Sequence, residues 1–271
     1  MNNTLLVKTA DFASISELFG LNPGFHLIAG PCAIESGEQL EKVAQKLVHN
    51  GVKFIRGGAF KPRTSPYEFQ GLGMEGLKIL NYMSKKYSLL SVSEITDARN
   101  VEKAVGLIDI IQIGSRNMQN TDLLKEAGGS KHPVLLKRGI MSKVEEFLLA
   151  AEYIALAGNK KIILCERGIR TFEDSTRNTL DISGVAIIKK ETSLPVIVDL
   201  SHSLGRKDIL LPVAKAVAAL GADGIMLEVH DNPAEALSDS KQQLSLEEFQ
   251  DFYDGLPQLS SNRDTISTAL G

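Results

Sequence analysis

The chain has 271 residues, 43% of them hydrophobic and none of them tryptophan, enough for one large domain or two small ones around a substantial core. A formal charge of −3 and a pI near 6 exclude nucleic acid or an anionic membrane surface as the main partner, so any cationic site must be local. No apolar run reaches the roughly 18 residues that cross a bilayer, MNNTLLVKTADF lacks the layout of a secretory leader, and two cysteines (Cys32 and Cys165) make no disulfide framework; the chain reads as cytoplasmic.

Residues 1–24 read as an N-terminal extension that adds a short strand or a plug. From Phe25 onward, short apolar runs alternate with longer amphipathic segments. Strands are expected at Phe25–Gly30, Phe54–Gly58, Leu89–Glu94, Asp109–Gly114, Pro133–Lys137, Lys161–Glu166, Pro195–Leu200 and Gly224–Glu228. Helices are expected at Glu38–His49, Met74–Lys86, Ala98–Val105, Thr121–Glu126, Lys143–Ala157, Ile182–Glu191, Lys207–Leu220 and Leu246–Tyr253. Asn50-Gly51, Gly128-Gly129, Gly158-Asn159 and Gly221 then read as left-handed caps. Eight strand–helix units over residues 25–256 predict a single (β/α)8 TIM barrel, an α/β fold. A doubly wound sheet also alternates, but neither Gly57-Gly58 nor Gly71-x-Gly73 forms its G-x-G-x-x-G turn. Residues 257–271, rich in Ser, Asn and Thr, are expected to be a flexible tail.

A barrel of this kind carries its active site at the C-terminal ends of the strands. Those ends hold Gly30-Pro31-Cys32 with Glu35, Arg56 with Lys61 and Arg63, Glu94, Arg116, Lys137-Arg138, Glu166-Arg167, Asp199 with His202, and Glu228 with His230. Ionisable side chains at nearly every exit point to catalysis. The second loop, KPRTSP, places Lys61, Arg63, Thr64 and Ser65 between Pro62 and Pro66, which should hold it extended and lower the entropy lost on ordering. Arg56, Lys61, Arg63, Arg116, Lys137 and Arg167 together call for a polyanionic occupant, such as two phosphates and a carboxylate, since guanidinium binds both groups bidentately.

A second set, Cys32, His202, Glu228 and Asp239, mixes thiol, imidazole and carboxylates in a way that suits Zn, Fe or Mn better than Mg. Taken singly, Cys32 reads as a small buried hydrophobe, His202 as a satisfied core or surface residue and Asp239 as a helix cap. The barrel favours the joint reading because its first, seventh and eighth strands are neighbours. Cys165 reads as core packing; His26, His49 and His132 as ordinary surface or supporting groups, with His230 less settled. Arg170, Glu173 and Arg177 either line the mouth or bridge to another subunit.

The segments AGPCAIES, RGGAFKPRTSPYEFQGLG, QIGSRNMQN, LLKRG, LCERGIRTFE, DLSHSLGR and EVHDNPAEALSDSKQ occur in the order found in 3-deoxy-D-arabino-heptulosonate 7-phosphate (DAHP) synthases. The resemblance runs from Phe25 to about Tyr253. The chain is similar to the short-barrel subgroup related to 3-deoxy-D-manno-octulosonate 8-phosphate synthase, whose loop reads K-A-N-R where this chain has Lys61-Pro62-Arg63.

The resemblance implies condensation of phosphoenolpyruvate with erythrose 4-phosphate and water, the first step of the shikimate pathway, in a homo-oligomer (tetramer or dimer) with no built-in feedback domain. It implies a divalent metal (Mn, Fe, Zn or Co) on Cys32, His202, Glu228 and Asp239. Arg56, Lys61 and Lys137 would hold the phosphoenolpyruvate carboxylate, Arg116 and Arg167 its phosphate, and Arg63, Thr64 and Ser65 the erythrose 4-phosphate. Glu94 would position water, with Lys61 the proton donor. Two competing readings are a synthase that takes arabinose 5-phosphate, which Pro62 disfavours, and a non-catalytic phospho-sugar-binding subunit, which would have lost some of these residues.

Overall fold

A computed structural model describes residues 5–257. Its elements are α1 (Leu6–Thr9), α2 (Ile15–Phe19), β1 (His26–Gly30), α3 (Gly37–His49), β2 (Phe54–Arg56), α4 (Met74–Tyr87), β3 (Leu90–Glu94), α5 (Val101–Val105), β4 (Ile110–Ile113), α6 (Thr121–Gly129), β5 (Val134–Lys137), α7 (Val144–Leu156), β6 (Ile162–Glu166), α8 (Ile182–Glu191), β7 (Val196–Asp199), α9 (Leu200–Leu204), α10 (Leu210–Ala219), β8 (Gly224–Glu228) and α11 (Leu246–Asp254). The eight strands are parallel and close in sequence order, with β1 paired to β8 from His26↔Gly224 to Gly30↔Glu228. This is the (β/α)8 barrel that the alternation predicts.

The strands are apolar on both faces because the barrel buries both. One face packs outward on the helices through Leu27, Ile55, Ile111, Leu136, Leu164, Val198 and Ile225, while the other fills the interior with Ile28, Phe54, Val92, Ile110, Leu135, Ile163, Ile197 and Met226. Helix α3 shows how the outer ring is held. Leu40, Val43, Ala44 and Leu47 recur on one face and are fully buried, each larger side chain contributing about 1.5–3 kcal/mol, and Ser36 caps the start by accepting the Gln39 N–H.

The described part of the N-terminal extension forms the two short helices α1 and α2. Ile15, on α2, is buried in the interior cluster with Leu18, Phe19 and Leu21 packed against it, and Phe19 meets Phe54 edge-on at 5.4 Å. The segment therefore stoppers the barrel floor and, among the described residues, adds no strand.

Several local expectations change: the second strand stops at Arg56 and not at Gly58, and the helix expected from Lys207 begins at Leu210. Gly128-Gly129 does not end its helix: α6 runs through Gly129, and the left-handed residue is Lys131, with φ 58°. A Cβ on Gly128 would lie 2.7 Å from Ala157 Cβ, so this glycine serves the close approach of α6 to α7. The run read as strand through Leu200 stops at Asp199, whose side chain accepts the His202 N–H and caps the short helix α9. The expected tail beyond Pro257 lies outside the described residues. Among the described residues no helix is long and apolar enough to cross a membrane.

Candidate active site

Alternation along the strands decides where the chemistry sits. Two residues above the apolar interior layer come Gly30, Arg56, Glu94, Gln112, Lys137, Cys165, Asp199 and Glu228, so the barrel interior turns from hydrocarbon to charge within one pleat. Above this layer opens a cleft of about 740 Å³, lined by Arg56, Lys61, Arg63, Thr64, Ser65, Glu94, Arg116, Lys137, Arg167, His202 and Asp239, with Arg170 and Arg177. All six cations singled out in the sequence face one cavity, and two further arginines join them.

Beside them the four possible donors converge. One atom each from Cys32, His202, Glu228 and Asp239 lie within 4.8 Å of one another. His202 Nδ1–H donates to Asp199 Oδ2 at 2.8 Å, which leaves a lone pair on Nε2, 3.3 Å from Glu228 Oε1 and 3.7 Å from Asp239 Oδ2. Lone pairs at this spacing repel unless a cation stands among them, and a thiol–imidazole–carboxylate set suits a divalent transition metal. Lys61 supplies part of the missing charge, its Nζ lying 3.0 Å from Cys32 Sγ.

The protonation states follow from burial and neighbours. Burial, with Glu228 adding to it, pushes the Cys32 thiol up to about 12, while Lys61 works the other way. Burial also raises Glu94, against the pull of Lys61, Lys137 and Arg56, and lowers His202, against Asp199 and Glu228. Burial alone would raise Asp199 as well, but His202 and Lys137 hold its carboxyl well below the usual range. Likewise His202 and Arg56 hold Glu228 low in spite of its burial. Glu228 is fully enclosed and meets Arg56 at 2.7 Å; Lys137 pairs with Asp199.

The loop after β2 is only partly as expected. Beyond Arg63 it bends: Tyr67 N–H donates to Ser65 Oγ, and Arg63 Nε meets Glu68 at 2.9 Å. Proline fixes φ at Pro62 and Pro66, but Ser65 between them offers its side chain to the backbone and favours a turn. Of the undecided trio, Arg170 and Arg177 line the cleft, and Arg177 reaches Asp239 at 3.1 Å. Glu173 is exposed and accepts the Ser175 N–H. His230 is buried beside Glu35, its Nε2 without a hydrogen bond. Cys165 is packed in the interior cluster. Gln112 and Asn178, which the sequence did not single out, also line the cleft; Gln112 could have been found by counting two residues on from Ile110.

A parallel barrel whose C-terminal mouth sets guanidinium and ammonium groups against a compact thiol–imidazole–carboxylate cluster defines an enzyme that gathers phosphorylated, acidic substrates at one rim. The sequence profile of the DAHP synthetase I family matches residues 8–265, and the chain belongs to that family. It is 54% identical over 239 residues to a phospho-2-dehydro-3-deoxyheptonate aldolase of Thermotoga maritima, covering 88% of this chain and 71% of that protein. The crystal structure of DAHP synthase from the same organism matches with a TM-score of 0.85 at 50% identity, over 96% of this chain and 74% of that one. A 2-dehydro-3-deoxyphosphooctonate aldolase of Syntrophotalea carbinolica is 32% identical over 248 residues, covering 85% of this chain and 88% of that protein.

Proposed function

We infer that the chain is a 3-deoxy-7-phosphoheptulonate synthase, condensing phosphoenolpyruvate with erythrose 4-phosphate and water to give 3-deoxy-D-arabino-heptulosonate 7-phosphate and phosphate. The observation that carries this reading is the placing of Arg56, Lys61, Arg63, Arg116, Lys137 and Arg167 around one cleft, next to the Cys32–His202–Glu228–Asp239 cluster. Identity of 54% to the heptonate enzyme, against 32% to the octonate enzyme, favours erythrose 4-phosphate as the aldehyde.

Arg56, Lys61 and Lys137 hold the phosphoenolpyruvate carboxylate, and Arg116 and Arg167 take its phosphate. Arg63, Thr64 and Ser65 hold the phosphate end of erythrose 4-phosphate, which brings the aldehyde carbon to the enol carbon and replaces a bimolecular encounter by a positioned one. Cys32, His202, Glu228 and Asp239 would hold a divalent ion (Mn, Fe, Zn or Co), and such an ion acts as a Lewis acid toward a carbonyl oxygen. The enol carbon attacks the aldehyde, and Lys61 gives a proton to the oxygen that becomes the hydroxyl. Water adds to the carbon left electron-poor, with Glu94 orienting it, and phosphate leaves as the carbon–oxygen bond breaks. The cationic ring offsets the repulsion between two anionic substrates.

The enzyme works in the cytoplasm as a homo-oligomer, a dimer or tetramer. Buried free thiols suit a reducing compartment, and Leu149, Tyr153 and Leu156 form an exposed apolar stripe on α7 that suits self-association. A monomer in sedimentation would remove the oligomer. The decisive assay offers both aldehydes before and after chelation. Erythrose 4-phosphate should be turned over faster than arabinose 5-phosphate, activity should disappear with EDTA and return with Mn, and Cys32→Ala should lose metal while staying folded. Preference for arabinose 5-phosphate would overturn the substrate assignment, and full activity after verified metal removal would overturn the metal.

A further inference from the structure

The donor cluster depends on a loop that is not itself regular. After β8 the chain leaves the barrel, carries Asp239, and returns so that Leu244 N–H donates to Glu228 O and His230 N–H donates to Leu244 O, both at 2.9 Å. Asp239 has φ 47°, a left-handed conformation uncommon outside glycine, although aspartate adopts it more readily than most residues.

Two adjacent amides surround this residue. Gln243, with no exposed surface, accepts the Cys32 N–H on Oε1 at 2.9 Å and donates from Nε2 to Ser238 O at 2.9 Å. It therefore ties the loop after β1 to the residue before Asp239. Gln242 donates from Nε2 to Glu228 Oε2 at 2.5 Å and accepts from Arg177 Nη1 at 2.7 Å, and its backbone N–H closes a turn onto Asp239 O at 3.2 Å. With Oε2 engaged by Gln242 and Oε1 by Arg56 at 2.7 Å, the Glu228 carboxylate is fixed so that Oε1 is the oxygen 3.3 Å from His202 Nε2.

We propose that Gln242 and Gln243 are positioning residues for the donor cluster: Gln243 sets the separation of Cys32 from Asp239, and Gln242 sets which Glu228 oxygen faces the other donors. The proposal rests on the divalent-metal reading above. The Gln243 amide supplies two opposite roles from separate atoms, an acceptor on Oε1 and a donor on Nε2. A carboxylate there has no donor for Ser238 O, and leucine has neither donor nor acceptor. Partners of this kind hold ligands in place before an ion arrives, and their loss weakens metal binding by about 10- to 100-fold.

The test titrates wild type and Gln243→Leu with Cd²⁺. Total bound ion is measured by equilibrium dialysis, the sulfur–cadmium charge-transfer absorbance reports Cys32, and thermal unfolding checks the fold. Gln243→Leu should bind Cd²⁺ about 10- to 100-fold more weakly, with less sulfur absorbance per bound ion. A role in folding alone would lower the melting temperature and leave absorbance per ion unchanged. If Gln243→Leu does not fold, Gln242→Met undergoes the same titration, with about tenfold weaker binding and full sulfur absorbance per ion expected. Wild-type affinity and absorbance in the folded variant would overturn the proposal alone. Absence of the sulfur band in wild type would overturn the metal reading and the proposal with it.

Discussion

Gly114 is not a reacting residue, yet its substitution offers the sharpest test of how Glu94 is held. At φ −72° and ψ 162° its backbone accepts alanine without strain, and the change should add about 0.4–1 kcal/mol of stability through the unfolded chain. The new Cβ, however, would fall 2.0 Å from Glu94 Oε1 and 2.6 Å from Cδ, where an ordinary contact is 3.4–4 Å. The carboxylate must retreat by about 1 Å or more, and a misplacement of that size costs about 100-fold in rate. That is about 2.7 kcal/mol of transition-state stabilisation. Gly114→Ala should thus lower kcat/KM for phosphoenolpyruvate consumption about 100-fold, with the melting temperature changed by no more than about 4 °C. Because the effect runs through Glu94, adding Gly114→Ala to Glu94→Ala should cost little more than Glu94→Ala alone. Unchanged kcat/KM in a folded Gly114→Ala enzyme would show that the Glu94 carboxylate is not held for the reaction.

Two further outcomes concern stability. Arg138 meets the enclosed Glu166 at 2.7 Å and Asp181 at 2.8 Å, so Arg138→Met leaves a buried carboxylate without its main counter-charge. Since Glu166 keeps the N–H groups of Arg167 and Gly168, the lower end of the usual range applies, about 3 kcal/mol by urea unfolding; a loss under about 1 kcal/mol would refute the account. The second is pH dependence. Asp199 has a folded pKa well below that of the unfolded chain, so its contribution is fully present above about pH 4 and is lost as pH falls through the lower folded value. Wild type should therefore lose urea resistance more steeply between pH 5 and 3 than Asp199→Asn, and equal slopes would show that Asp199 is not so perturbed.

Strand positions were legible because a parallel barrel buries both strand faces and leaves apolar runs bounded by turns; β8 carries the bounds read from sequence, Gly224–Glu228. The rim residues were legible because strand ends are where the fold permits charge. Helix α9 was missed because VIVDL continues as apolar sequence, and the cap was hidden in it: Asp199 followed by His202, with left-handed Gly205 closing the turn. The bend after Arg63 is not legible from Pro62 and Pro66, which fix φ only at their own positions; it comes from the Ser65 side chain, which accepts the Tyr67 N–H. Gln242 and Gln243 left no signal of their own, since glutamine is normally a surface residue and only contacts brought together by folding show otherwise.

The stopper that Ile15 and Phe19 form beneath Phe54 has a kinetic meaning. Set beneath an interior already filled by Ile28, Phe54, Leu135 and Met226, it leaves the chamber among the described residues a cul-de-sac that opens at the rim, so substrates enter and products depart on the same side.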